Sequence, residues 1–234
     1  AGEHLPERAL GHAQVVEEAQ RALRAEEWLV LDTPAGMDED LAGLEAALEA
    51  CRDGRRVLVA VPDARAWNAL RRSPAARQKG GARVASLAMP DGYLNREALY
   101  RLAEGDVSDA PVEDRIALLP LIPFADGADH ADNEPAGPVA DGRGFSPERA
   151  RRAWLRVCCD AWDDDPAARA ARDAAGRAGV VLVTHETLCR HAAGAGALLP
   201  ACDLLVVTGA HRFPDAVQAG GAAGRAARLF TLRE

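Results

Sequence analysis

Lysine is almost missing from this 234-residue chain: Lys79 is the only one, and arginine carries nearly all of the positive charge. Any chemistry that depends on a lysine must find it there. Aromatic residues are sparse at 4%, and the four tryptophans, Trp28, Trp67, Trp154 and Trp162, are dispersed, as core or half-buried packing would have them. No window approaches the roughly 18 uninterrupted apolar residues of a membrane span. The opening "AGEHLPERAL" lacks the basic-then-apolar pattern of a secretion signal. Both absences predict a cytoplasmic protein without a membrane partner. The five cysteines, Cys51, Cys158, Cys159, Cys189 and Cys202, form no C-x-x-C pair, so reduced thiols are expected and a standard zinc spacing is absent. No serine or cysteine sits in a nucleophile elbow. A net charge of −8 gives the average field the wrong sign for nucleic acid, which leaves only a local basic patch for such binding.

Apolar residues make up 48% of the chain, enough for a substantial core. Runs without polar alternation recur at 28–33 (WLVLDT), 56–62 (RVLVAVP), 180–185 (VVLVTH) and 204–209 (LLVVTG), with a weaker one at 83–89. Such runs suit strands buried on both faces of a parallel sheet. Helical patterns lie between them, over 13–25, 38–52, 64–72, 94–104, 147–160 and 166–178, so the alternation predicts an α/β layer fold. From Phe124 to Pro147 the chain turns to Asp, Gly and Pro and reads as a mobile, mostly acidic loop or linker.

Four segments carry a constellation. "TPAGMDED" (33–40) follows the first apolar run and opens a helix; "VLVAVPDARAWNAL" (57–70), "AGVVLVTHETL" (178–188) and "LLPACDLLVVTGAHRF" (198–213) follow in order. Their order and spacing, over roughly residues 10–215, resemble the first motor domain of the iron-sulphur superfamily 2 DNA helicases, the XPD and DinG group. The resemblance implies a RecA-like, P-loop NTPase-like α/β domain. Residues 1–90 would form its N-terminal part, 91–165 an insertion equivalent to the iron-sulphur region with the acidic loop 124–147, and 166–234 the remainder. In the family a loop of the form A-P-T-G-T-G-K-T holds the nucleotide. Here Pro34 and Gly36 are retained, Asp38 follows them at the start of the helix, Glu39 stands at the lysine position and Asp40 at the hydroxyl position. The family's Asp-Glu-Ala-His box falls on Thr208, Gly209, Ala210 and His211, so only its second half remains. Asn95 stands in place of the first cluster cysteine; Cys158 and Cys159 are kept, and no cysteine occurs from Asp160 to Glu186. An iron-sulphur cluster needs four suitable thiolates. No cluster is expected.

ATP binding at such a loop depends on helix N-terminal N–H groups, a lysine on the outer phosphates and a hydroxyl on magnesium. At an effective dielectric near 20, a charge pair about 4 Å apart is worth about 4 kcal/mol, against about 8 kcal/mol for an entire micromolar site. Reversing that charge predicts loss of ATP affinity, and Thr208 with Gly209 removes the acids that would hold magnesium and polarise water. The simplest role for Asp38, Glu39 and Asp40 is to cap the helix and complement its dipole; divalent-metal binding by the three is the alternative.

The basic stretch "RRSPAARQKGGAR" places Arg71, Arg72, Arg77, Lys79 and Arg83 within thirteen residues without an acid, with Arg65 just upstream. By resemblance it follows a DNA-contacting segment, so these six are candidate ligands for single-stranded DNA; a solvated loop is the alternative. A second cluster, Arg149, Arg151, Arg152 and Arg156, reads as a solvated helix face or partner surface. His185 and His211 are expected at the ends of adjacent strands as structural histidines. The expectation is therefore a catalytically inactive helicase-like module, without ATP or cluster, that binds DNA or scaffolds another domain or protein in DNA repair or replication. An active helicase module and a protein-interaction module without nucleic acid are the alternatives.

Overall fold

The structure, a computed structural model, describes residues 11–33, 37–77, 83–104, 111–119, 121–122, 152–193 and 199–219. The predicted acidic loop 124–147, Lys79, Pro34 and Gly36 lie outside them. The chain divides into two compact units, one of residues 1–86 and 177–234, the other of residues 87–176.

The first unit is α/β. Strands β1 (Val57–Val61), β2 (Val84–Ser86), β3 (Val180–Thr184) and β4 (Leu204–Val207) form an all-parallel sheet in the order β2-β3-β1-β4. The arrangement is consistent with a RecA-like fold. The two central strands, β1 and β3, are the most continuously apolar and the most buried, because helices cover both of their faces. Helices α1 (His12–Ala25), α2 (Glu39–Arg52) and α3 (Ala64–Arg71) precede β2. Leu44, Ala47, Val59, Val61, Trp67, Leu70, Val180 and Leu182 make the core on the α2 side. Asp38 caps α2 by accepting from Leu41 N at 3.0 Å, and Gly54, at φ +87°, takes the left-handed turn after its end. Asp63 caps α3 in the same way through Ala66 N at 2.9 Å.

One expected strand does not form. Residues 28–33 carry no regular secondary structure and join no ladder. Leu29, Leu31 and Thr33 are partly buried, whereas Trp28 is 70% and Val30 92% exposed. An unbroken apolar run becomes a central strand only when both faces are covered, and among the described residues nothing covers the outer side of this one. Trp28 is therefore not core packing. The two histidines also differ from expectation: His185 follows β3 and His211 follows β4, but β1 lies between those strands.

The second unit packs α4 (Arg96–Glu104), α5 (Val112–Leu118) and the chain around Trp154 on a core of Leu94, Leu99, Leu102, Leu118, Leu121, Trp154 and Val157; α6 spans Pro166–Arg177. The helix expected over 147–160 ends at Trp154 among the described residues. Beyond it the backbone is drawn into other pairings: Asn95 N donates to Val157 O at 2.7 Å, Cys159 N donates to Tyr93 O at 3.0 Å, and Leu94 and Cys158 form an isolated antiparallel bridge. Asn95 also accepts from Ala98 N at 3.0 Å in the first turn of α4. Its position thus has a structural use unrelated to sulphur chemistry. Two further helices of the first unit, α7 (His185–Ala192) and α8 (Phe213–Ala219), follow β3 and β4.

Candidate functional site: the carboxylate-filled edge of the sheet

All strands of a parallel sheet end on one side, and ligands of open α/β sheets bind outside those carboxyl ends. Here β1 runs into Pro62 and Asp63, β3 into His185, and β4 into Thr208 and Gly209. The N-terminus of α2 arrives at the same edge with Asp38, Glu39 and Asp40. Thr208 donates its hydroxyl to Asp40 Oδ1, and Thr33 donates to Glu39 Oε2 at 3.1 Å. Glu39 Oε1 lies so near Gly209 that a Cβ built on that glycine would be 3.3 Å away. Side chains from three segments of the chain thus meet at the first turn of α2. The expected grouping of Asp38, Glu39, Asp40, Thr208 and Gly209 is present as a contact network; His211 stands exposed at its margin.

The Asp40–Thr208 pair has a specific form. The carboxylate stands on the first turn of α2 and the hydroxyl on the residue after β4, and the bond between them ties the two elements together. One group escaped the sequence reading. Asp63, besides capping α3, pairs with Arg212 Nη1 at 2.7 Å; only its place three residues before Ala66 signalled the cap. His185, fully buried, bonds through Nε2 to Thr208 O at 2.9 Å and meets Phe213 edge to face at 5.0 Å. Because a carbonyl only accepts, Nε2 carries the proton. Burial pushes the His185 pKa down, which keeps the ring neutral and structural.

Burial raises the Asp40 pKa, with Glu39, Asp38 and Asp63 adding to the rise and the Thr208 hydrogen bond opposing it. A carboxyl raised in the folded state holds its proton more tightly than in the unfolded chain. Its contribution is complete below the ordinary carboxylate range and is lost as pH rises through the folded value. Asp40→Asn, which still accepts from Thr208, is therefore expected to raise the melting temperature at pH 7 and leave it unchanged at about pH 3. Thermal unfolding at the two pH values reads this; a lower melting temperature for the variant at pH 7 would count against the assignment. Asp63 has the opposite tendency, lowered first by the backbone N–H of Ala66 and further by Arg212.

The basic candidates fall along α3 and beyond it rather than at this edge alone. Arg65, exposed, sits in the first turn of α3 beside Asp63. Arg71 lies at the other end, its guanidinium 5.1 Å from the ring centroid of buried Trp67 and its Nε bonded to Asn68 at 2.9 Å. Arg72 and Arg77 are exposed just after it, and exposed Arg83 opens β2, its carbonyl receiving Gly179 N and Val180 N at the start of β3. Among the described residues no three His, Cys, Asp or Glu side chains are grouped to hold a metal ion. Cys158, Cys159 and Cys189 are buried, and burial pushes Cys159 up to about 12. No described helix is long and apolar enough to cross a membrane. Comparison with known proteins finds no family model and no curated relative that matches the chain.

Proposed function

We propose that this chain is a catalytically silent, helicase-like module whose nucleotide site is closed by its own carboxylates and which binds single-stranded DNA within a larger repair or replication assembly. One observation carries the reading. The three positions where the resemblance requires a phosphate-binding lysine, a magnesium-binding hydroxyl and a magnesium-binding acid hold Glu39, Asp40 and Thr208, and the latter two are bonded to each other. A triphosphate would have to displace that pair and lie against three carboxylates. With Coulomb terms of about 4 kcal/mol per close pair at an effective dielectric near 20, the encounter is repulsive.

The arginines at the far end of α3 supply the positive surface. Arg71 is oriented by Trp67 and Asn68, so a cation is held at a fixed place on an otherwise acidic protein. Arg72, Arg77 and Arg83 extend it. Protein-interaction without nucleic acid is the competing reading.

Titration of the purified chain with ATP and ADP is expected to give no binding at micromolar concentration and no phosphate release, with or without DNA. A fluorescent oligonucleotide is expected to bind with an affinity that falls as salt rises. Reversing Arg72 and Arg77 to glutamate should reduce the slope by about 2 in log–log terms. Micromolar nucleotide binding would overturn the closed-site assignment. An oligonucleotide affinity indifferent to salt and to both reversals would favour protein-interaction instead.

A further inference from the structure

The chain carries no acid between Asp63 and Asp91, so no carboxylate within that segment offsets the arginines on and after α3. One neutral hydroxyl stands among them. Ser73 directly follows Arg71 and Arg72 and precedes Pro74, with Arg77 beyond. α3 ends at Arg71, and Pro74 disfavours helical backbone at the residue before it, so Ser73 falls in a turn outside the helix. Its N–H donates to Leu70 O at 3.0 Å, its Oγ accepts from Ala76 N at 3.3 Å, and Arg77 N donates to Pro74 O at 3.2 Å. The backbone thus curls around the hydroxyl and turns Arg77 back toward it. Ser73 is partly exposed between the exposed residues Arg72 and Pro74, whereas Ser86, the other serine among the described residues, is held in β2.

We propose that Ser73 is a phosphorylation site, and that a phosphate there switches off the single-stranded DNA binding of the surface around it. The regulatory effect rests on the nucleic-acid reading above. A phosphoserine carries about −1.5 to −2 charges and three strong acceptor oxygens. It therefore offers arginine the same partner that a DNA backbone phosphate does, and arginine–phosphate hydrogen bonds are among the strong ones. Because this phosphate is tethered beside Arg72 and Arg77, it meets them at a local concentration in the millimolar range or above. The DNA backbone then competes for cations that are already neutralised. The phosphoryl group comes from a nucleoside triphosphate held by a separate serine kinase. Ser73 Oγ bonds to the γ-phosphorus, the bond from that phosphorus to the β-phosphate oxygen breaks, a nucleoside diphosphate leaves, and the hydroxyl proton passes to the base of the kinase. Since Ser73 lies outside regular structure, a kinase can engage it without unravelling α3 or β2.

Phosphopeptide mapping of the full chain recovered from its own cells is expected to find phosphate on Ser73. The full chain made with phosphoserine encoded at that position is then titrated with the fluorescent oligonucleotide beside the unmodified chain and the Ser73→Ala variant. At about 50 mM salt the phosphorylated chain should bind at least about 10-fold more weakly, with a log–log salt slope smaller by about 2, and should recover on phosphatase treatment. Ser73→Ala removes the hydroxyl without adding charge, so its affinity should stay within about 2-fold of the unmodified chain. A chain recovered without phosphate on Ser73, or equal affinities with and without the phosphate, would overturn the proposal and leave the nucleic-acid reading standing. An equal loss in Ser73→Ala would also overturn it, because the turn and not the charge would then set the affinity. An unmodified chain without salt-dependent binding would overturn both.

Discussion

Gly209→Ala is expected to destabilise the protein by about 2–5 kcal/mol, the sum of about 1–2 for a left-handed backbone and about 1–3 for overpacking. Gly209 has φ +54° and ψ +38°, a conformation that side chains with a Cβ seldom adopt. A Cβ there would also penetrate Pro62 Cγ and stand 3.3 Å from Glu39 Oε1. Pro62 cannot swing away as a long side chain would, because it links β1 to the Asp63 cap of α3. Chemical denaturation reads the loss, with Gly176→Ala as the control: a Cβ at that helical glycine meets nothing within 4 Å, and no destabilisation is expected. Equal behaviour of the two variants would sink the argument.

The consequence reaches beyond stability. By resemblance position 209 belongs to an acidic box, and the acid there would polarise the attacking water. In this chain Gly209→Glu would meet the same Pro62 and add a charge beside Glu39 and Asp40. The turn after β4 is built around a glycine, so the backbone as well as the side chains fixes the arrangement of Glu39, Asp40 and Thr208.

Much of the architecture was legible because its physical cause is local. Continuous Val and Leu runs marked β1 and β3, where both faces are covered, and the leucine stripe of α2 with Asp38 ahead of it marked a capped helix. The run at 28–33 carried the same composition and misled, since composition reports what a segment can bury and not whether a partner is there to bury it. The helix expected over 147–160 failed for a related reason: bonds from Asn95 and to Tyr93, about 60 residues away, take the backbone beyond Trp154. The short helices α5, α7 and α8 carried too few turns to show a stripe. In the site, the charges of Glu39 and Asp40 were legible, but the partner of Asp40 was not. Thr208 lies 168 residues away in sequence, and only the β1–β4 register brings it to the first turn of α2.

The second large effect concerns Trp67, which ties the core to the basic surface. The side chain is 4% exposed, donates from Nε1 to Leu182 O at 3.1 Å, and packs among Leu44, Val59, Val61, Leu70 and Val180. Trp67→Ala is expected to cost about 3–5 kcal/mol, from lost transfer energy and the cavity left behind. For a chain of this size that corresponds to roughly 6–20 °C in melting temperature. Trp67→Phe keeps an aromatic platform and most of the volume, so it should cost far less, mainly the hydrogen bond at about 1 kcal/mol. The pair of variants separates packing from presentation. If Arg71 contributes to nucleic-acid binding because the ring holds it, Trp67→Phe should retain most of the oligonucleotide affinity, and Trp67→Leu, which fills space without a π face, should lose the cation–π share of about 0.5–1 kcal/mol. Calorimetry on the three variants with oligonucleotide titrations in parallel measures both quantities. A melting temperature for Trp67→Ala within 2 °C of the parent would mean that Trp67 does not anchor the core, and equal affinities for the Phe and Leu variants would mean that Arg71 acts, if it acts, without the ring.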